Sequence, residues 1–260
     1  MANPRVSHVF FAVVLVGLAI IGLIKGDFAP GLLPVPVSMP GRQALAYLCD
    51  IIYLACGIGL LWRRTATLAA RVLFTYLLLW FLLLRIPWLF VSFTVDIWWS
   101  AGCAAVMAGT AWVLYAGLAG DWDRQRLGFF TGDTGLLIAR MLFGLGLIPF
   151  GLAHFIYLGA TAPLVPGWML WPVFWSYFTG AAFIAAGLAM ILGVFTRLAA
   201  SLIALQFGLL TLLVWVPRII EGSMTLFQWN EFVVSILLTA AGCVVADSYR
   251  RRPWLAVGRQ

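Results

Sequence analysis

The sequence predicts an all-α polytopic membrane protein: eight transmembrane helices arranged as two parallel four-helix repeats, with both termini on the cytoplasmic side. Three observations predict it. The 260 residues are 64% hydrophobic and only 10% charged, with a mean hydropathy of +1.04, too few polar residues to cover a soluble surface. Apolar runs of about 20 residues, the length that crosses a bilayer as a helix, recur along the whole chain. The second half also restates the first at an offset of 130 residues.

The first apolar run, Val9 to Ile24, lacks a small-x-small cleavage site and is followed by more spans, so it is expected to stay as the first membrane helix. The eight spans are expected at 7–24, 43–62, 67–90, 97–119, 136–158, 170–192, 196–217 and 225–247. Helices are the natural spanning form because lipid offers no partner to bare backbone groups. Orientation follows from the basic residues. With the N-terminus inside, Arg5, Arg63, Arg64, Arg71, Arg124, Arg126, Arg140, Arg197, Arg250, Arg251, Arg252 and Arg259 fall on the cytoplasmic side. Only Lys25, Arg42, Arg85 and Arg218 fall on the other.

The internal repeat needs no gap. Val35-Pro36 aligns with Val165-Pro166, Met39 with Met169, Tyr47 with Tyr177, Ala55 with Ala185 and Gly57 with Gly187. Leu68-Ala69-Ala70 matches Leu198-Ala199-Ala200, Leu82-Leu83 matches Leu212-Leu213, Pro87 matches Pro217, and Trp99 matches Trp229. Residues 1–120 are thus expected to form one four-helix unit and 136–260 a second. A polar cytoplasmic linker, 121–135, joins them within the stretch GDWDRQRLGFFTGDTG. An even span count per unit gives both the same orientation, with a pseudo-twofold axis along the membrane normal.

Several chemistries are excluded. The net charge of +7 sits beside apolar spans, where topology explains it, and no soluble basic domain exists to hold nucleic acid. The cysteines Cys49, Cys56, Cys103 and Cys243 form no C-x-x-C pair and no metal-ligand spacing. They read as small buried apolar side chains, with a Cys49–Cys103 disulfide left open by their similar depth. His8 and His154 stand at opposite membrane faces, so one chain cannot ligate haem through both. No zinc or iron–sulfur ligand set, P-loop or G-x-S-x-G appears. No intrinsic cofactor or metal is expected, and any redox group would belong to a partner or be a bound quinone.

Ionisable residues inside spans cost several kcal/mol unless paired or wetted, so each marks a candidate site. Asp50 and Arg85 project to about 10 Å below the outer surface, which predicts an ion pair between helices 2 and 3. That pair either locks the two helices or floors an outward-facing cavity. In the second half His154, Arg218, Asn230 and Glu231 project to the outer third of the membrane. They are expected either to close that end as a satisfied network or to form a pocket in which His154 meets a quinone carbonyl or a lipid headgroup. The proline-rich segments DFAPGLLPVPVSMPG (27–41) and the one holding Pro163, Pro166 and Pro172 are expected to lie flat over the bundle as matching lids. Trp168, Trp171 and Trp175 would be their headgroup-level anchors.

RMLFGLGLIPFGLAHF (Arg140–Phe155), APLVPGWM (Ala162–Met169) and WSYFTGAAFIAAGLAMILGVFTRLAA (Trp175–Ala200) resemble the DoxX-like membrane proteins. The shared plan is an Arg opening the first helix, Gly-x-x-His-Phe near its end, a Val-Pro turn and Tyr-x-x-Gly followed by Ala-Gly. The first half keeps the Val-Pro and the pair of helices around YLCDIIYLACGIGLLWRRTATLAA (Tyr47–Ala70), but has Ile24 where the second half has His154. The resemblance implies two fused four-helix units, similar to the membrane subunit of thiosulfate:quinone oxidoreductase. It implies an integral subunit of a redox-linked complex in a bacterial or archaeal cytoplasmic membrane, binding quinone near the outer face. A soluble or membrane redox subunit, or a second copy of the chain, would be its partner in the bilayer. A small-molecule or lipid transporter and a membrane scaffold for a partner protein are the alternatives.

Overall fold

The computed structural model describes residues 5–29, 32, 35–36, 38–91, 94–222 and 224–258. Arg259, and Pro30, Gly31, Leu33, Pro34 and Val37 of the first proline-rich segment, lie outside them. Eight helices are long and apolar enough to cross a membrane: α1 (Val6–Lys25), α2 (Arg42–Leu61), α3 (Ala66–Val91), α4 (Val95–Leu118), α5 (Asp133–Ile156), α6 (Pro172–Leu192), α7 (Thr196–Ile220) and α8 (Leu226–Ser248). Each falls within a few residues of the expected span. Run length sets the element, while turn and cap chemistry sets its ends. Thr225 shows this at α8, where its hydroxyl and the Gln228 side chain cap each other's backbone N–H groups.

The segment expected as a polar linker is folded. It forms two short helices, Asp121–Arg126 and Gly128–Thr131, before α5 begins at Asp133. Asp123 holds it to the bundle, taking a hydrogen bond from the Tyr115 hydroxyl at 2.8 Å and an ion pair from Arg71 at 2.9 Å. The Trp112 indole donates to the Phe130 carbonyl at 2.7 Å.

Each helix packs on the next in sequence, α1 on α2 through α7 on α8; α8 returns to α1, and α4 and α8 touch across the middle. The central helix α4 has 89% of its membrane-length window buried. Its small residues suit that place, because helices in lipid associate through close van der Waals approach. A Cβ on Gly102 would stand 2.7 Å from the Gly146 carbonyl of α5, and one on Gly109 the same distance from the Ala139 carbonyl. The outward faces of the other helices stay apolar, as lipid contact requires.

Two helices break regular winding at matching places. α3 widens to a π-turn over Phe81–Arg85 and α7 over Thr211–Trp215. Pro87 and Pro217 each follow by two residues. A proline ring clashes with the carbonyl four residues back, here Leu83 and Leu213, and a wider turn relieves that clash.

Both termini lie at one end of the bundle. Arg5 of the N-terminus pairs with Asp247 of α8 at 2.8 Å. The Arg140 guanidinium lies 4.0 Å from the Tyr249 ring centroid and donates to the Ser248 carbonyl. Burial there pushes the Tyr249 hydroxyl above the ordinary tyrosine range. The tail then clips onto the α6–α7 turn: Phe195 donates its N–H to the Ala256 carbonyl at 2.8 Å, and Arg197 stacks 4.0 Å from Trp254. All four cysteines are free, so the Cys49–Cys103 disulfide is not formed.

Candidate functional site

The end of the bundle opposite the termini holds the site. After α1 the chain turns at Gly26, which adopts the left-handed φ of 64°. The described start of the first proline-rich segment then departs from the expected flat lid. Phe28, Ala29 and Leu32 are 2%, 0% and 1% exposed, so this non-helical backbone enters the bundle. Such backbone is tolerated at membrane depth only where protein supplies partners. Asp50, about two turns into α2, accepts the Ala29 N–H at 3.0 Å. Arg85 of α3 donates to the Leu32 carbonyl. An ion pair from Arg42 to Asp27, 2.7 Å, closes the segment at its ends. The link that the structure records between Asp50 and Arg85 thus runs through the loop: an acid on its N–H side, a base on its carbonyl side. α1 makes room for the acid at Gly22, where any Cβ would collide with the Asp50 carboxylate.

The second proline-rich segment does lie on top. Trp168 and Trp171 are 71% and 74% exposed. Arg218, near the end of α7, donates to the Pro163 carbonyl at 2.8 Å, and Thr161 shares a 2.6 Å hydrogen bond with Ser176. The position matching Asp50 is Gly180, packed on Gly151 of α5, so no side-chain acceptor draws this loop inward.

Beneath the first loop four aromatic rings run in a column. Phe28 lies 5.6 Å from Trp80, Trp80 lies 6.0 Å from Tyr76, and Tyr76 lies 5.8 Å from Tyr53. Helical spacing puts them there. Tyr76 and Trp80 are four apart on α3, and Asp50 and Tyr53 are three apart on α2, so each pair shares a face. Asp50 is within electrostatic reach of Tyr53 and Tyr76, and Arg85 of Tyr53 and Cys103. The polar tips of this column are buried and largely unanswered. Asp50 Oδ2, Tyr53 Oη and Trp80 Nε1 have no hydrogen-bond partner, and neither does Ser100 Oγ in the second turn of α4. Tyr76 Oη has only the Cys49 thiol beside it, a weak partner. Each orphaned group at such depth costs about 1–3 kcal/mol, and most buried polar atoms in folded proteins are paired.

The residues the sequence singled out in the second half are not brought together in this way. His154 hydrogen-bonds through Nδ1 to the Phe150 carbonyl of its own helix at 2.8 Å and packs its ring on Phe183. Since a carbonyl only accepts, Nδ1 carries the proton and Nε2 is left as an acceptor. Arg218 is spent on Pro163. Asn230 and Glu231 are partly buried in the first turns of α8. Among the described residues no hydrogen bond or ion pair joins either of them to Arg218 or His154. Glu231 is within electrostatic reach of Cys103 on α4. A separate, mostly apolar groove of about 190 Å³ lies in the α4–α5 seam, lined by Val95, Trp98, Pro149 and Leu152. Among the described residues no cluster of His, Cys, Asp or Glu could hold a metal ion.

The unanswered groups beneath the first loop differ in kind: Asp50 Oδ2, beside Gly22 of α1, can accept, Trp80 Nε1 can only donate, and the tyrosine hydroxyls can do both. Comparison of the chain with family models, with characterised proteins and with solved structures finds no match to any of them.

Proposed function

We propose that the chain is an integral subunit of a redox-linked membrane complex that seats a quinone-type head group inside the first four-helix unit, beneath Phe28, Ala29 and Leu32. The observation that carries this reading is the set of buried, unpaired atoms Asp50 Oδ2, Tyr53 Oη and Trp80 Nε1 along an aromatic column. A quinone ring is flat and carries an oxygen at each edge. It needs apolar walls and a few convergent hydrogen-bonding groups, and its reduced form needs a proton acceptor. Asp50 supplies that acceptor. His154 and Arg218 then serve the second unit's own packing, on the Phe150 and Pro163 carbonyls.

The wider frame belongs to the same proposal. The chain is two repeats of a DoxX-like unit, with the termini cytoplasmic and the site near the outer face of a bacterial or archaeal inner membrane. Supporting the repeat, the π-turns at Phe81–Arg85 and Thr211–Trp215 fall at the same offset of 130 as the sequence matches. Each third helix also grips its own loop through an arginine, Arg85 at Leu32 and Arg218 at Pro163. Electrons would come from a protein partner, soluble or membrane-bound.

The test is purification from native membranes in mild detergent, with mass spectrometry of co-purifying polypeptides and extracted quinone. Stoichiometric quinone that is lost in Asp50→Ala and kept in His154→Ala supports the reading. A protein carrying only bulk phospholipid overturns it. One observation favours a small-molecule carrier instead: non-helical backbone buried at membrane depth, as in transporters with broken helices. Flux into proteoliposomes separates the two.

A further inference from the structure

We propose that the interior site selects a hydroxyl-bearing head group over its carbonyl-bearing counterpart, and that Asp50 decides between them. This rests on the reading above, that the site takes a quinone-type ring. Asp50 divides its two oxygens: Oδ1 takes the Ala29 N–H at 3.0 Å, while Oδ2, in a side chain with no exposed surface, takes nothing. As a carboxylate, Asp50 Oδ2 only accepts, and in that form whatever completes it must bring an O–H or N–H. Trp80 Nε1, in a side chain 6% exposed, only donates, so a ligand that reaches both groups must also offer a lone pair. Tyr53 Oη, between them in charge character, does either. A phenolic hydroxyl satisfies all three kinds of group. A quinone carbonyl satisfies Trp80 and the tyrosine but leaves Asp50 Oδ2 facing a second acceptor. An analogue that leaves a buried polar group unpaired is rejected far more strongly than one that differs only in size.

The experiment uses the full chain in mild detergent. A short-chain benzoquinone and, under anaerobic reducing conditions, its hydroquinone are titrated separately by calorimetry against wild type, Asp50→Asn and Trp80→Phe. In wild type the hydroquinone binds tighter by about ten-fold, the factor that one unpaired buried acceptor implies. Asp50→Asn can still accept the Ala29 N–H through its amide oxygen, so an unchanged thermal midpoint certifies the fold. Its amide N–H can donate to a carbonyl, so the preference narrows or reverses. Trp80→Phe weakens both forms alike. Equal affinities in wild type, or tighter binding of the benzoquinone, overturn this inference and leave the site intact. A preference that survives Asp50→Asn removes Asp50 from the role. Binding of neither form, with the orphaned atoms answered by ordered water, overturns the site reading itself.

Discussion

The Asp50 carboxylate accepts the backbone N–H of Ala29 at 3.0 Å, and both residues have no exposed surface. An ionisable side chain in a membrane helix is thereby committed to the backbone of a loop that enters the bundle. Removing it in Asp50→Ala orphans the Ala29 N–H and leaves the loop without its inner anchor. The variant should lose about 1–3 kcal/mol of stability, seen as a lower thermal midpoint in detergent. Asp50→Asn, which keeps an acceptor, should lose clearly less. Equal losses in the two variants would show that the hydrogen bond is not what matters.

Gly22 gives an independent check on the same packing. A Cβ there meets the Asp50 carboxylate, whereas a Cβ at Gly17 on the same helix meets nothing within 4 Å. Gly22→Ala should therefore destabilise by about 1–3 kcal/mol, while Gly17→Ala should be neutral or slightly stabilising. The comparison is one of thermal midpoints, and the reverse order would place the α1–α2 contact elsewhere.

The contact between the two halves depends on backbone approach rather than on side-chain bulk. Gly102→Val puts a branched side chain where the Gly146 carbonyl stands 2.7 Å from the Cβ position. It should cut folded yield sharply, with a loss above about 2 kcal/mol. Gly117→Val, where nothing lies within 4 Å of the added Cβ, should fold normally. Monodispersity in detergent measures both.

His154 is held by its own helix and by one aromatic ring. His154→Ala should cost about 1 kcal/mol and leave the binding of any head group in the first unit unchanged. Loss of ligand binding in this variant, with Asp50→Ala unaffected, would move the site to the second half.

The eight spans were legible because a helix needs only length and apolarity to cross a bilayer, and both are local in sequence. Asp50 stood out for the same reason, as a charge inside an apolar run. Its partner did not. Counting residues from a helix end gives depth along the membrane normal but not the azimuth around the bundle, so Arg85 looked like the match. Nor can residue counting see a backbone N–H arriving from a loop. The same gap explains the second half: His154, Arg218 and Glu231 agree in depth, yet His154 turns to the Phe150 carbonyl and Arg218 to Pro163. Tyr53, Tyr76 and Trp80 are absent from the sequence's candidate set, because aromatic rings are ordinary packing in an apolar helix. Their signal was present: polar tips well below the interface, on faces three or four residues apart, beside an acid. The folded linker was missed because its polarity hid one buried acid, Asp123.

The most direct measurement is an experimental structure of the protein in its native lipids, resolved well enough to show small molecules near Asp50. The expected result is ring-sized, non-protein density within hydrogen-bonding distance of Asp50 Oδ2 and Trp80 Nε1. Closure of those atoms on protein side chains, or a single water-sized peak between them, would contradict it.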